Sequence, residues 1–190
     1  MKKILLILLV ASSFLLYSTP SFALLSLSVG VPIGQAITGK NAGQTYGNAP
    51  DKTSGYFLGA SFASIGLGID SYTTKFKTDG TDGSWDAGYD AGLKTNMTNL
   101  FYQLPVPVVN LIIGLGVGTT EYDCTICETY TEKGSATQWY TSIGIPLIPL
   151  FDIHLSYRSI TSKNIIKNKM EGTKDDNSGS VTGLGISFNF

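Results

Sequence analysis

Apolar and polar residues alternate with a period of two along most of this sequence after residue 23, and no stretch shows sustained helical periodicity. The pattern is clearest at residues 184–190, where leucine, isoleucine and phenylalanine alternate with glycine, serine and asparagine. Seven other segments repeat it, beginning near Leu25, Tyr56, Ile65, Thr95, Leu111, Trp139 and Phe151. We therefore predict eight strands, each with a large apolar face and an opposite face of small or polar residues.

The links between these predicted strands alternate strictly in length. The long links are polar and rich in small residues, and they cover residues 35–53, 76–94, 121–136 and 160–178. The short links cover residues 63–64, 105–109 and 146–150. In an up-and-down sheet this order places every long loop at one end and every short turn at the other, which is typical of transmembrane barrels.

The composition of the two faces indicates where the apolar side chains point. Glycine and serine cannot fill a core between two packed sheets, but they fit the narrow lumen of an eight-stranded barrel. The apolar faces then contact lipid, and closure leaves no unpaired strand edge in hydrocarbon. We predict an all-β protein with an eight-stranded antiparallel up-and-down transmembrane barrel at residues 24–190. A soluble periplasmic barrel that binds an apolar ligand is an alternative.

The N-terminal segment, residues 1–23, has the form of a signal peptide. Lys2 and Lys3 precede an apolar stretch that is shorter than the roughly 20 residues of a spanning helix, and small residues end at Ala23. We expect cleavage near Ala23 and export to the bacterial outer membrane. The formal net charge of −1 gives no reason to expect nucleic acid as a partner.

Aromatic residues on the apolar faces fall into two groups along the strands. One group lies toward the long loops and comprises Tyr56, Trp139 and Tyr157. The other lies toward the short turns and comprises Phe62, Tyr102 and Phe151, followed by Phe188 and Phe190. We expect two aromatic girdles at the membrane interfaces, where such rings are enriched.

Polar residues on the opposite face are candidates for chemistry. Asp152, His154, Ser156 and Arg158 share one face of the seventh predicted strand, and Asp70 occupies the same inward register on the third. We expect an interior polar network of Asp70, Asp152, His154 and Arg158, in which Arg158 and Asp152 neutralise each other, with Asp70 as a further candidate partner. A nucleophilic relay through His154 and Ser156 is the alternative, although neighbours two residues apart on a strand stand about 7 Å apart at the backbone.

Two further features lie in the predicted loops. Cys124 and Cys127 are close in the third long loop, and in an oxidising compartment we expect them to form a local disulfide, with metal binding or redox work as alternatives. The fourth long loop carries lysines that contact lipopolysaccharide phosphates or are simply solvated, namely Lys163, Lys167, Lys169 and Lys174. We expect neither a bound metal nor a cofactor.

The chain after residue 23 resembles the small eight-stranded bacterial outer-membrane barrels of the OmpA/OmpX type, in topology and composition. In that family the last strand ends in phenylalanine after alternating apolar residues, as Ile186, Phe188 and Phe190 do here. The resemblance implies recognition by the barrel assembly machinery.

These features favour a non-enzymatic protein, expected to be a monomer in contact with outer-membrane lipid. It would display four extracellular loops for envelope integrity, surface recognition or adhesion, toward an external ligand that the sequence does not name. The alternative is a lipid-modifying enzyme on the same fold, because a deacylase among the small barrels uses a His-x-Ser pair like His154-Leu155-Ser156.

Overall fold

The structure is a computed structural model that describes residues 24–39, 50–76, 92–104, 106, 109–123, 131–148, 150–165 and 174–190. These residues form nine strands: β1 Leu25–Ile37, β2 Pro50–Phe62, β3 Ile65–Phe76, β4 Gly92–Leu104, β5 Asn110–Asp123, β6 Gly134–Ile148, β7 Phe151–Ile165, β8 Lys174–Asp176 and β9 Gly179–Asn189. The described part of the chain has no helix long and apolar enough to cross a membrane. The predicted signal peptide lies outside the described residues.

Eight long strands form a closed antiparallel barrel. Strands β1 to β7 each pair with the next, and β9 pairs with both β7 and β1, which closes the sheet. The three-residue strand β8 lies in the fourth long connection and pairs with the end of β7. The predicted all-β up-and-down barrel is confirmed, and β8 is an addition that the sequence pattern did not indicate.

The barrel strands extend further into the long links than predicted. They are 11 to 15 residues long. As a result, β3 enters the link predicted at 76–94, β5 the link at 121–136 and β7 the link at 160–178. The reason is that backbone pairing continues through threonine, serine and asparagine as readily as through apolar residues. The apolar run therefore marks only part of each strand.

The turn between β2 and β3 is the two-residue link predicted at 63–64. Phe62 pairs with Ile65, and the two residues between them have positive φ angles, 47° for Ala63 and 75° for Ser64. Positive φ at both central positions is the mark of a type I′ turn, whose twist matches that of the flanking strands. Neither residue is the glycine or asparagine that such a turn favours.

The wall between β1 and β2 is paired over only part of its length. In the described residues the register joins 25–30 to 57–62 and stops there, while the rest of β1 remains paired with β9 and the rest of β2 with β3. Register shifts at Pro32/Gly34 and Pro50/Lys52 accompany the break. We call this part of the wall, residues 31–37 beside 50–56, the seam.

Side chains alternate between the outside and the lumen along most of each barrel strand. On β7, Leu155 is 58% exposed whereas its neighbour His154 is 7% exposed. Large apolar residues of every barrel strand face outward, including Leu27, Leu58, Leu67, Leu100, Leu115, Ile143 and Ile186. The predicted direction of the apolar face is therefore confirmed, and the lumen receives the small and polar residues together with a few apolar ones such as Phe57, Met97 and Val181.

Aromatic rings fill the space that the lumen glycines leave. A Cβ atom on Gly66 would lie 2.1 Å from the ring of Phe101, and one on Gly114 would lie 2.2 Å from the ring of Tyr140. The Phe101 and Tyr140 rings meet edge to face with their centroids 6.4 Å apart. These two glycines thus each seat a ring from the neighbouring strand, so the lumen is packed rather than open at this height.

Candidate functional site in the lumen

An ion pair lies at mid-height in the lumen. Arg158 on β7 donates from Nε to Asp70 Oδ2 on β3 at 3.0 Å and from Nη2 to Asp70 Oδ1 at 3.4 Å. Gln138 Nε2 donates to the same Asp70 Oδ2 at 2.7 Å and also to Asn99 Oδ1. All four side chains are buried. The charge of the Asp70 carboxylate is balanced by Arg158, and the Gln138 amide supplies a further hydrogen bond to it.

The guanidinium of Arg158 also stacks on aromatic rings. Its Cζ lies 3.5 Å from the ring centroid of Phe57 and 5.0 Å from that of Tyr140. A cation over an aromatic face is attracted by the ring quadrupole. We call the group of Asp70, Arg158, Phe57 and Tyr140 the central layer, and it occupies the lumen at this height.

A second polar group lies at the short-turn end of the lumen. The carboxylate of Asp152 accepts hydrogen bonds at Oδ2 from Nδ2 of Asn189, at 2.7 Å, and from Nδ2 of Asn110. Asn110 in turn accepts a bond from Gln103 Nε2 at 3.0 Å. The strand ends of β4, β5, β7 and β9 therefore bring one carboxylate and three amides together.

His154 extends this group toward the middle of the lumen. Its Nε2 lies 2.6 Å from Ser187 Oγ and 3.8 Å from Asp152 Oδ2, and its Nδ1 lies 3.3 Å from Ser142 Oγ. We call His154, Asp152, Asn189 and Asn110, with the serines beside His154, the turn-end cluster.

The four residues predicted to form one interior network are thus all buried in the lumen but divide between two groups. Arg158 pairs with Asp70 rather than with Asp152, which corrects the expected pairing. Residues six apart on one strand are separated by about 20 Å, so the two side chains cannot meet. The partner of Arg158 comes instead from the opposite side of the barrel.

The geometric neighbours of His154 differ from its sequence neighbours. Ser142 and Ser187, on the adjoining strands β6 and β9, approach the imidazole. Ser156 instead accepts a bond from Arg158 Nη1 and lies 3.3 Å from the carbonyl oxygen of Gly183. Sequence reasoning missed both serines because strand register, not chain proximity, brings them to His154.

A cavity of about 60 Å³ separates the central layer from the turn-end cluster. Arg158, Asp70, Ser142 and His154 are among its lining residues. A water needs about 10–15 Å³, so the cavity has room for a few waters. It is well below the roughly 300 Å³ at which small-molecule pockets begin.

A third polar group closes the lumen toward the long loops, in a region that sequence reasoning assigned to a solvated loop. Tyr122 OH donates to Asp175 Oδ2 on β8 and to Asn177 Oδ1 at 3.0 Å. Asn177 Nδ2 donates to Asn164 Oδ1 at 3.0 Å, and Asn164 Nδ2 donates to the Thr120 carbonyl at 2.9 Å. The alternation of Ser162 and Asn164 with Lys163 is the signal that would have indicated a continuing strand.

The residues predicted as aromatic girdles all belong to the outward register. Tyr56, Trp139 and Tyr157 are exposed toward the long loops, and the centroids of Trp139 and Tyr157 are 5.8 Å apart. Toward the short turns Phe62 and Tyr102 are exposed, while Phe151 and Phe188 half-bury each other at 4.5 Å. Their role as membrane anchors stays a prediction.

The C-terminal residues close the barrel. Ile186 and Phe190 are exposed on the outer wall, and Phe190 N–H donates to the Leu25 carbonyl at 2.8 Å.

The predicted disulfide of Cys124 and Cys127 lies outside the described residues, as do Lys167 and Lys169. Lys163 and Lys174 are described and exposed.

The rim of the barrel carries an exposed charge cluster. Glu121 on β5 lies 2.8 Å from Lys133 Nζ and 3.6 Å from Lys94 Nζ. The hydrogen bond from Lys133 holds the pKa of the Glu121 carboxyl below its ordinary value, so this carboxylate stays charged at neutral pH.

A closed eight-stranded barrel with an apolar outer wall and a filled polar lumen is the fold of the small outer-membrane barrels. This chain is similar to the crystal structure of Neisserial surface protein A (NspA), with a TM-score of 0.54 and 10% identity over 87% of this chain and 96% of that chain. It is also similar to the solution structure of the E. coli Outer Membrane Protein W, with a TM-score of 0.52 and 12% identity over 88% and 98% of the two chains. No protein-family model and no curated protein matches the sequence. The likeness therefore concerns the fold.

Proposed function

We propose that this protein is a non-enzymatic outer-membrane barrel that displays four loops outside the cell, for envelope integrity, surface recognition or adhesion. The observation that carries the proposal is the outer wall, where Leu115 is 69% and Val117 66% exposed although both are fully apolar. A contiguous apolar surface of this kind marks a membrane or protein contact. Export through residues 1–23 as a signal peptide belongs to the same proposal.

The outer wall changes character toward the long loops, and this supports the orientation. Above the apolar band, outward positions carry threonine and then lysine, in the pairs Thr73 and Lys75, Thr98 and Lys94, and Thr161 and Lys163. Hydroxyl and ammonium groups suit a lipid headgroup layer. We place the long loops outside, with lipopolysaccharide phosphates as the partners of these lysines.

The filled lumen favours a display scaffold over an open channel. Buried side chains occupy the lumen at two heights: those of the central layer, and those of the third polar group, which contains Tyr122, Asn164 and Asp175. An eight-stranded barrel leaves space only for such side chains or one small ligand. The protein therefore acts through its surface and loops, as a monomer assembled by the machinery that reads Ile186, Phe188 and Phe190.

The enzyme alternative is disfavoured by the position of His154. Its serine neighbours and Asp152 are buried with it, at the end of the lumen away from the long loops. A lipid of the outer leaflet would have no route to this imidazole. Lipid A composition in cells with and without the protein tests this directly, and a modification that depends on His154 would revive the enzyme.

Fractionation and heat-modifiability test location and closure together. We expect the protein in the outer-membrane fraction, extracted only by detergent, with a faster gel mobility before boiling than after. Epitope tags inserted at residues 42 and 80 should be accessible on intact cells, and a tag at 63–64 should not. Recovery of the protein in the soluble periplasmic fraction would favour the apolar-ligand barrel instead.

A further inference from the structure

We propose that the turn-end cluster is a binding site for a first-row divalent metal ion, with Asp152 and His154 as ligands and the side-chain oxygen of Asn189 as the third. Zn²⁺ is the representative ion, because imidazole nitrogen and carboxylate oxygen are its usual ligands. The site would join β7 to β9 across the short-turn end of the lumen.

Charge balance is the first argument. Asp152 is buried, and the one ion-pairing partner that the described residues give it is His154 at 3.8 Å. Asp70, the other carboxylate in the membrane-spanning part of the lumen, is matched by Arg158. Asp152 receives hydrogen bonds only from the neutral amides of Asn110 and Asn189. A buried carboxylate held by neutral amides and by a histidine, which is a counter-charge only when protonated, is costly, so this position favours a bound cation.

Geometry is the second argument. Asp152 and His154 are two residues apart on one face of β7, so their side chains lean over the same part of the lumen. The separation of Asp152 Oδ2 from His154 Nε2 is 3.8 Å. Two ligands of one tetrahedral zinc ion stand about 3.4 Å apart, given metal–ligand distances of about 2.1 Å. A small side-chain adjustment therefore lets both atoms bind one ion.

The third argument is an unsatisfied polar atom. Asn189 is 8% exposed, its Nδ2 donates to Asp152 Oδ2, and its Oδ1 has no hydrogen-bond partner. Rotation of this amide by 180° exchanges its two terminal atoms and places the oxygen where Nδ2 now lies, 2.7 Å from Asp152 Oδ2. That orientation brings two oxygens together, which only a cation or a proton between them stabilises.

The donor set fixes the expected strength of the site. Among the described residues no group of three or more His, Cys, Asp or Glu side chains converges, so two such ligands must be completed by amide oxygen and water. We therefore expect moderate affinity. Access is from the short-turn end, where Asn110 and Gln103 at the mouth are only half-buried.

The experiment uses the folded mature protein, without an affinity tag, in detergent. Zn²⁺ is titrated by calorimetry and by competition with a chromophoric chelator, and folding of every variant is verified by heat-modifiability. The Cys124→Ser/Cys127→Ser background removes thiol binding. We expect one saturable site per barrel, and Asp152→Asn or His154→Gln to weaken binding at least tenfold. The control Glu121→Gln removes a rim carboxylate and should leave the affinity unchanged.

Two outcomes overturn the proposal: no saturable binding, or equal affinity in Asp152→Asn and the parent protein. If those variants do not fold, Asn189→Ala carries the test: removal of the third ligand should weaken binding about tenfold, and an unchanged affinity would count against the site. Substitution with Co²⁺ gives an independent readout, since the visible absorption of a nitrogen–oxygen site should disappear in His154→Gln.

Discussion

At the scale of single residues, the lumen depends on pairs in which a glycine makes room for a large side chain. Gly66 seats Phe101, Gly114 seats Tyr140, and Gly144 faces His154, whose Cε1 would be 2.4 Å from an added Cβ. Sequence alternation correctly put these glycines and rings in the lumen. It could not pair them, because the pairing depends on the register between strands.

Gly66→Ala should therefore destabilise the barrel. The new methyl group would collide with the Phe101 ring, and overpacking of this kind costs about 1–3 kcal/mol. The midpoint of urea unfolding in detergent measures it. Phe101→Leu in the same chain should recover part of the loss, and Gly34→Ala, where the nearest atom is Thr182 Oγ1 at 3.2 Å, should have little effect.

The ion pair of the central layer gives a second prediction at this scale. Arg158→Met leaves the buried Asp70 carboxylate without its cation, at a cost of about 3–5 kcal/mol. Adding Asp70→Asn removes the uncompensated charge and should restore most of the stability. Equal stability of Arg158→Met and the parent protein in urea unfolding would contradict the pairing with Asp70.

At the scale of elements, the period of two was enough to predict eight strands and the alternation of long and short links. It missed how far the strands continue, because residues such as Ser162 and Asn164 carry no apolar signal. It also missed β8 and the residue after it, because the buried Asp175 and Asn177 have the polar character of loop residues. Asp175 and Asn177 are buried because they contact Tyr122 and Asn164 of other strands, and such contacts depend on the three-dimensional fold.

Two substitutions in the β2–β3 turn should stabilise the protein. Ala63 and Ser64 both have positive φ, which costs non-glycine residues about 1 kcal/mol or more each. Ala63→Asn with Ser64→Gly supplies the residues that type I′ turns favour and should raise the unfolding free energy by about 1 kcal/mol. A decrease in the urea midpoint would show that the turn has another geometry.

The seam should be the least protected part of the barrel wall. Each backbone hydrogen bond that is absent lowers the free energy of local opening by about 1 kcal/mol, which raises the equilibrium constant for opening roughly fivefold. In hydrogen–deuterium exchange, amides of residues 31–37 and 50–56 that face the seam should exchange faster than those of β3, which is paired on both sides. Uniform protection around the barrel would contradict the interrupted pairing.

At the scale of the whole molecule, the outer wall and the lumen exchange the roles that they have in a soluble sheet protein. Large apolar side chains surround the barrel, while its interior combines charged and amide groups with aromatic rings and a few aliphatic side chains. Most of the apolar surface therefore lies outside the sheet, although two small apolar clusters, which include Phe57, Met97 and Leu93, lie inside it. Both the proposed location and the display function depend on this inversion.

A lipid-accessibility scan along β7 tests the inversion most directly. Spin labels are placed singly at residues 153 to 157 in a Cys124→Ser/Cys127→Ser background, and the barrel is reconstituted in liposomes. We predict that collisions with lipid-dissolved oxygen oscillate with a period of two, with maxima at Ile153, Leu155 and Tyr157 and minima at His154 and Ser156. Maxima at His154 and Ser156, or no oscillation, would contradict an apolar wall that faces lipid.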